Sequence, residues 1–299
     1  MKHTLRFAVL SDQHIDREAD PASWDLAKTA FKAAVAQKVD HVILAGDTFD
    51  CASAMTRDRD KVERYLTKLG LWERDRLTIV VGNHDIFHTP HRSTGLAFVR
   101  EVAKIATASA QGNYDEFCEW AGQLAHSRDR LDGDDDLYPI DKKLGHVRLW
   151  AGDTTASNTA NSGNGYWNDT DDELLRNAAG VELNERRVLA IHHPPFEDDE
   201  ISIMGLLNRE FSLGFPRPDY RHLERFTSDA EVDAVLCGHI HAFDPNESDP
   251  DPWYWQLGNN WRCDVHMVGR SGGVHGADPC MGILEVPVTG RLRWRTVDL

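Results

Sequence analysis

Short apolar segments alternate with helical patterns through the first third of the chain. Leu5–Leu10, His41–Ala45 and 77–81 are strand-like runs, and the segments 22–37 and 57–69 between them are predicted helices. In 22–37 the apolar residues fall at three- and four-residue spacings, which is typical of a helix with one buried face. This order of strand, helix and strand predicts parallel strands joined by crossover helices.

The later part of the chain continues this pattern and then changes it. Further strands are predicted at 147–150, 188–191 and 234–237. From about residue 253 onward, short segments of alternating polarity replace the order of strand and helix. We interpret three of these as antiparallel strands of a second sheet, at 264–268, 281–286 and 292–297.

Histidine, aspartate and asparagine residues cluster directly after five of the strand-like runs. Loops at the carboxyl ends of such strands converge on one edge of an open α/β sheet. Nitrogen and oxygen ligands of this kind suit divalent cations, and their number is sufficient for two ions that share one carboxylate. The clusters are Asp12-Gln13-His14, Gly46-Asp47-Thr48-Phe49-Asp50, Gly82-Asn83-His84-Asp85, His192-His193-Pro194 and Gly238-His239-Ile240-His241.

The composition fits one large domain. With 299 residues and 41% hydrophobic content the chain can bury a substantial core, and we predict a single domain over residues 1–299.

No apolar run reaches the roughly 18 residues of a membrane helix. No signal pattern precedes Leu5–Leu10, which leads directly into Asp12 and His14. The five cysteines are widely spaced, which favours reduced thiols. We therefore expect a cytoplasmic protein without membrane insertion.

The formal net charge of -16 bears on the class of substrate. Non-specific DNA binding depends on Lys and Arg side chains that neutralise phosphates, so this composition argues against nucleic acid as a partner. A small anionic substrate is compatible with the acidic surface, because divalent ions bring positive charge into the site itself.

In the order and spacing of its polar clusters, the chain resembles the calcineurin-like metallophosphoesterase superfamily. The resemblance covers most of the chain. It implies an α/β fold, in which two mixed sheets and outer helices form a four-layer α/β/β/α sandwich. It also implies one metallophosphoesterase domain with helical insertions at about 93–136 and 154–172. The second insertion is rich in Ser, Thr, Asn and Gly, and we expect it to form a loop that covers the site.

The same resemblance implies a ligand set for two divalent metal ions, with Mn, Fe and Zn all suited to it. Asp47 matches the bridging carboxylate of the family. The spacing His-x-Pro selects His192 as a ligand and leaves His193 as an outer or substrate-facing group. Carried over position by position, one ion would take Asp12, His14, Asp47 and His241, and the other Asp47, Asn83, His192 and His239.

The resemblance also implies a reaction. A water between two divalent ions loses a proton near neutral pH, and the bridging hydroxide attacks phosphorus in an in-line displacement. His84 matches the acid that protonates the leaving group, and Asp50 matches the carboxylate that pairs with that histidine. We interpret Asp85 as a group that fixes the backbone rather than as a ligand.

Departures from relatives narrow the class of substrate. Purple acid phosphatases have a tyrosine where this chain has Asp50, and Ser/Thr protein phosphatases have Arg-Gly where it has Cys51-Ala52. The His-His-Pro-Pro run at 192–195 is more similar to bacterial cyclic-nucleotide and glycerophosphodiester phosphodiesterases. The preferred prediction is therefore a metal-dependent hydrolase of small-molecule phosphodiesters. A nuclease, a phosphomonoesterase and a non-catalytic protein-binding scaffold are the alternatives.

Overall fold

The structure is a computed structural model, and it describes residues 4–86, 111–132, 136–155, 165–180, 185–195, 215, 217–239, 263–268 and 279–299. The strands are β1 (Leu5–Leu10), β2 (His41–Ala45), β3 (Leu77–Val80), β4 (Ile140–Leu144), β5 (Val147–Ala151), β6 (Arg186–Ala190), β7 (Ala234–Cys237), β8 (Asp264–Met267), β9 (Cys280–Val286) and β10 (Arg293–Asp298). The α-helices are α1 (Pro21–Ala36), α2 (Ala52–Lys68), α3 (Asn83–Ile86), α4 (Gln111–Ala121), α5 (Asp169–Ala178) and α6 (Arg217–Asp229).

The strands form two five-stranded sheets with the orders β10-β9-β1-β2-β3 and β4-β5-β6-β7-β8. In the first sheet β1, β2 and β3 are parallel, and in the second β5, β6, β7 and β8 are parallel. The helices α1 and α2 connect the first three strands, so the predicted order of parallel strands and crossover helices is confirmed. Each parallel set brings the carboxyl ends of its strands to one edge of its sheet.

The last three strands are arranged differently from the prediction. β8 lies in the second sheet but parallel to β7, with Met267 opposite Cys237. β9 and β10 join the first sheet instead, where β9 runs antiparallel to β1 with Val286 opposite Leu5. The prediction that all three are antiparallel strands of a second sheet is therefore wrong. Alternating polarity identifies a strand, but it contains no information about which strand lies beside it.

The two sheets pack face to face, with helices outside them. In β6, Val188 and Ala190 belong to a core cluster that also contains residues of β1, β2 and β3, whereas Leu189 belongs to a second cluster with residues of α5 and α6. Successive residues of a strand point to opposite faces, so one core lies between the sheets and another lies beneath these helices. α1 and α2 bury Phe31 and Leu66 against the first sheet. The predicted α/β architecture of two mixed sheets is confirmed.

The described part of the first predicted insertion contains α4, while residues 93–110 and 133–135 lie outside the described residues. In the second insertion, residues 156–164 also lie outside them, and α5 begins at Asp169 rather than after a loop that reaches residue 172. Asn168 starts this helix, because its side chain accepts a hydrogen bond from the main-chain N–H of Thr170 at 2.8 Å. None of the described helices has the length and apolar character needed to span a membrane.

Candidate metal centre

The polar clusters of the sequence meet where strands of both sheets end. Except for His241, which lies outside the described residues, the structure places every predicted ligand at these strand ends. The predicted ligands that it describes are Asp12 and His14 after β1, Asp47 after β2, Asn83 after β3, His192 after β6 and His239 after β7.

Potential metal-binding atoms gather there in three groups, and within each group the ligand atoms lie within 4.8 Å of one another. His192 belongs to two of these groups, so it links them. The groups are Asp12 with Asp47 and His192, His192 with His193 and His239, and His14 with Asp50 and His84.

The loops that hold these residues adopt left-handed backbone conformations. Asp12, His14, Asp47 and His239 have φ angles of 54°, 45°, 51° and 73°, a region that residues other than glycine rarely occupy. Two main-chain hydrogen bonds join the first two loops, from Asp12 N to Gly46 O at 3.1 Å and from His14 N to Asp47 O at 3.0 Å. Strained backbone collected at one place is typical of a functional site.

Glycines allow these loops to approach one another. Gly46 has a φ of 90°, and a Cβ atom at this position would overlap the imidazole ring of His192. A Cβ atom at Gly82 would overlap the backbone and the carboxylate of Asp47. A side chain at either position would therefore push neighbouring candidate ligands apart.

Asp47 lies between the loops of the two sheets with no exposed surface. Its Oδ1 accepts a hydrogen bond from the main-chain N–H of His84 at 2.8 Å. Its Oδ2 has no regular hydrogen-bond partner among the described residues, and lies 3.3 Å from Nε2 of His192 and 3.8 Å from Nε2 of His14. A buried carboxylate oxygen in this position needs a cation or a proton beside it.

His192 faces several atoms that can bind a cation. Its Nδ1 donates a hydrogen bond to the main-chain oxygen of Ala45 at 2.9 Å, so the lone pair of the neutral ring is on Nε2. Nε2 lies 3.1 Å from Oδ1 of Asn83 and 3.2 Å from Nδ1 of His239. A metal-binding histidine usually has its other ring nitrogen fixed by such a carbonyl oxygen, so the residues present fit a divalent ion.

The electrostatics of this buried group also favour a cation. Burial alone would raise the pKa of Asp47, but the imidazoles of His192 and His84 outweigh burial and lower this pKa below its usual range. Burial alone would lower the pKa of His192, but Asp47 and Asp12 outweigh burial and raise it to about 9. The site therefore stabilises positive charge next to Asp47.

His84 and Asp50 are neighbours, although the hydrogen bond between them differs from the side-chain pairing that the resemblance implied. Nδ1 of His84 donates to the main-chain oxygen of Asp50 at 3.0 Å. The carboxylate of Asp50 lies 3.4 Å from Nδ1 of His14 and within 4.8 Å of a ring nitrogen of His84. The side chain of Asp50 is thus close to both histidines.

Asp85 holds the backbone on either side of the site. Its Oδ1 accepts from the main-chain N–H of Phe49 at 2.8 Å, and its Oδ2 accepts from that of Gly82 at 2.9 Å. Burial and the charge of Asp47 raise the pKa of Asp85 well above its usual value. These contacts join the loop after β2 to the loop after β3.

His193 is fully buried beside the candidate ligands and bonds to a residue that the sequence did not single out. Its Nδ1 lies 2.8 Å from Oγ1 of Thr154, which also accepts the main-chain N–H of His193 at 3.3 Å. Burial and the imidazoles of His239 and His192 lower the pKa of His193 well below its usual value, so the ring is neutral. Thr154 lies in a segment of loop-like composition, and no motif distinguishes it there.

A two-sheet α/β sandwich with buried imidazole and carboxylate groups at the edge where its strands end is the arrangement expected of a metal-dependent phosphoesterase. The model of the family described as calcineurin-like phosphoesterase matches residues 5–243, and the chain belongs to this family. The resemblance inferred from the clusters is thereby confirmed. Members of the family use a dinuclear centre of divalent metal ions.

Solved structures share the fold at low sequence identity. A purple acid phosphatase from yellow lupin (Lupinus luteus) seeds has a TM-score of 0.59 at 12% identity, over 100% of this chain and 52% of that one. A dimetal phosphatase from Danio rerio has a TM-score of 0.57 at 12% identity, over 98% of both chains. A 5'-nucleotidase precursor from Thermus thermophilus has a TM-score of 0.51 at 13% identity, over 99% of this chain and 54% of that one.

The chain thus spans about half the length of the lupin and Thermus proteins. At these identities the likeness is one of fold. A search of curated proteins found no match.

Proposed function

We propose that this protein hydrolyses phosphoesters with the help of two divalent metal ions, and that its preferred substrates are phosphodiesters of small molecules. The observation that supports this most is the position of Asp47 Oδ2, buried between Nε2 of His192 and Nε2 of His14. A carboxylate oxygen between imidazoles from two separate loops is suited to bridge two ions. The similarity of the His-His-Pro-Pro run to bacterial phosphodiesterases supports the preference for diesters.

The proposed ligands divide into two sets that share Asp47, and Mn, Fe or Zn would suit both sets. Carboxylate, amide and imidazole groups are the ligands of both sets. One set is Asp12, His14, Asp47 and His241, and the other is Asp47, Asn83, His192 and His239.

When bound, the two ions would supply an activated water and neutralise charge on the phosphoryl oxygens. The chain itself supplies the acid. A carbonyl oxygen only accepts hydrogen bonds, so the bond from His84 to the main-chain oxygen of Asp50 keeps a hydrogen on Nδ1. The exchangeable proton of the imidazolium is therefore on Nε2, and we propose that it passes from there to the leaving oxygen.

We further propose that the chain forms one domain with insertions at about 93–136 and 154–172, and that it functions in the cytoplasm. All five cysteines are separate thiols in the structure, which supports a reducing compartment.

Turnover of model esters tests the proposed function. Purified protein is incubated with added Mn²⁺, Fe²⁺ or Zn²⁺ and with bis-p-nitrophenyl phosphate, p-nitrophenyl phosphate or single-stranded DNA. Faster hydrolysis of the diester than of the monoester is the expected result. Degradation of the DNA would instead favour a nuclease, and absence of turnover over a wide range of metals and pH would overturn the hydrolase function.

A further inference from the structure

Thr154 and His193 form a hydrogen-bonded pair between neighbouring strand ends. Thr154 is in the loop after β5, and His193 is in the loop after β6. Both side chains have no exposed surface. Thr154 Oγ1 and His193 Nδ1 are 2.8 Å apart, a normal hydrogen-bond distance for a hydroxyl and a ring nitrogen.

The hydroxyl hydrogen of Thr154 determines the tautomer of His193. Oγ1 already accepts the main-chain N–H of His193, and within the described ranges Nδ1 of His193 is the one acceptor that Oγ1 can reach. A buried hydroxyl donates to the acceptor available to it, so the hydrogen of Thr154 points at Nδ1. The neutral ring of His193 then carries its own hydrogen on Nε2.

The imidazole ring of His193 lies beside two candidate metal ligands, His192 and His239. One ring nitrogen of His193 lies within 4.8 Å of ring nitrogens of His192 and His239. The ring centroids of His193 and His239 are 4.5 Å apart. Gly165 packs against the base of this side chain, because a Cβ atom at Gly165 would be 2.8 Å from Cβ of His193. Nε2 has no hydrogen-bond partner in the part of the chain that the structure describes. A buried donor without a protein acceptor is expected where a ligand supplies one.

We propose that Nε2–H of His193 donates a hydrogen bond to a phosphoryl oxygen of the substrate, and that Thr154 is the positioning residue that fixes this tautomer. The inference rests on the proposed function, because a phosphoester supplies the acceptor. A hydrogen on Nε2 also excludes this atom as a metal ligand, although the ring of His193 lies beside the proposed ligands His192 and His239. A neutral donor does not require the second negative charge of a monoester, which agrees with a preference for diesters.

Four substitutions test whether Nε2 of His193 is a hydrogen-bond donor or a metal ligand. Thr154→Val removes the hydroxyl at nearly constant volume, and Thr154→Ser keeps it. His193→Asn removes the donor at Nε2, and His193→Gln places an amide N–H close to that position. Elemental analysis should find the same metal content in wild type and all four variants.

Calorimetry with inorganic phosphate on the metal-loaded proteins provides the second measurement. His193→Asn should weaken the Kd by about 10- to 100-fold, the usual loss for a hydrogen bond to a charged group. Thr154→Val should show a smaller loss, Thr154→Ser should resemble wild type, and His193→Gln should recover part of the affinity. Unchanged phosphate binding in His193→Asn, or the loss of a metal ion from that variant, would overturn the proposal.

The tautomer can be measured without metal or turnover. Nitrogen NMR of the metal-free protein with labelled histidine should show the hydrogen of His193 on Nε2, with the signal identified by its loss in His193→Asn. A hydrogen on Nδ1 would overturn the proposal even in an active hydrolase. Conversely, a wild-type protein that binds metal and phosphate but cleaves no ester would overturn the proposed function, while the binding data would still support the donor.

Discussion

Nδ1 of His192 donates a hydrogen bond to the main-chain oxygen of Ala45, 2.9 Å away, and this bond joins the two sheets at the candidate metal centre. Ala45 is the last residue of β2 in the first sheet, whereas His192 follows β6 in the second. Because the bond fixes the hydrogen on Nδ1, it directs the lone pair of Nε2 toward Asn83 and Asp47. The packing of the sheets therefore determines the geometry of the candidate ligands.

Gly46→Ala should disrupt the hydrogen bond between His192 and Ala45. The added Cβ atom would overlap the ring of His192, and a φ of 90° is unfavourable for alanine. We expect reduced stability together with weaker metal binding, measured by urea unfolding and by metal titration.

Gly70→Ala is the matched control. Gly70 also has a positive φ, of 69°, but no atom lies within 4 Å of the position of its Cβ. This control should lose about 1–2 kcal/mol from backbone strain alone and keep its metal affinity. Equal metal binding in the two variants would contradict the importance of the contact between Gly46 and His192.

His84→Asn should impair proton transfer to the leaving group. Asparagine can still donate to the main-chain oxygen of Asp50 from the position of Nδ1, but it has no proton to release at Nε2. We expect kcat to fall by about 10²- to 10⁴-fold for an alkyl diester, and by less for bis-p-nitrophenyl phosphate, whose leaving group needs little protonation. An equal loss for both substrates would argue against His84 as the acid.

Asp85→Asn should weaken metal binding although Asp85 is not a proposed ligand. The carboxylate of Asp85 accepts hydrogen bonds from the main-chain N–H groups of Phe49 and Gly82. In the variant, one of these N–H groups would face an amide donor instead. Loss of an outer partner usually costs about 10- to 100-fold in metal affinity. Metal titration measures the effect, and Asp60→Asn, with its side chain 76% exposed, is the control that should leave the affinity unchanged.

Acid should destabilise the metal-free protein partly through His41. Burial and the charge of Lys142 lower the pKa of His41 from its ordinary value of 6.5 to about 3. The folded protein keeps this ring neutral while the unfolded chain binds a proton, so the contribution to stability is complete above pH 6.5 and is lost as the pH falls toward 3. The slope for this residue is about 1.4 kcal/mol per pH unit.

His41→Gln should flatten that dependence. Unfolding by urea at a series of pH values, with both proteins free of metal, compares the two slopes. Identical slopes would mean that His41 titrates normally in the folded protein.

The sequence allowed the prediction of those features that depend on local pattern. The parallel strands are buried and apolar, and the clusters follow them, so strand positions and the convergence of Asp47 with His192 could be inferred. β4 escaped prediction because it contains Asp141, Lys142 and Lys143. Lys142 is nevertheless buried, since its ammonium group donates to the main-chain oxygens of Leu77 and Arg74 at 2.7 and 3.2 Å.

Features that no local pattern indicates could not be predicted from sequence. The pairing of β9 with β1 and the bond between Ala45 and His192 join residues far apart in the chain. The same is true of Thr154, whose role depends on its neighbour His193. Positive φ angles at Asp12 and Asp47 also lack a local signal, because glycine is the residue normally expected there.

If Asp47 is shared by two metal ions, the ions lie close enough for their electron spins to couple, and electron paramagnetic resonance of the manganese-loaded protein measures this coupling. We expect two Mn²⁺ ions per chain with a spin-coupled spectrum, and loss of that coupling in Asp47→Asn while the protein stays folded. A single ion per chain, or two ions with the spectrum of isolated Mn²⁺, would contradict the shared role of Asp47.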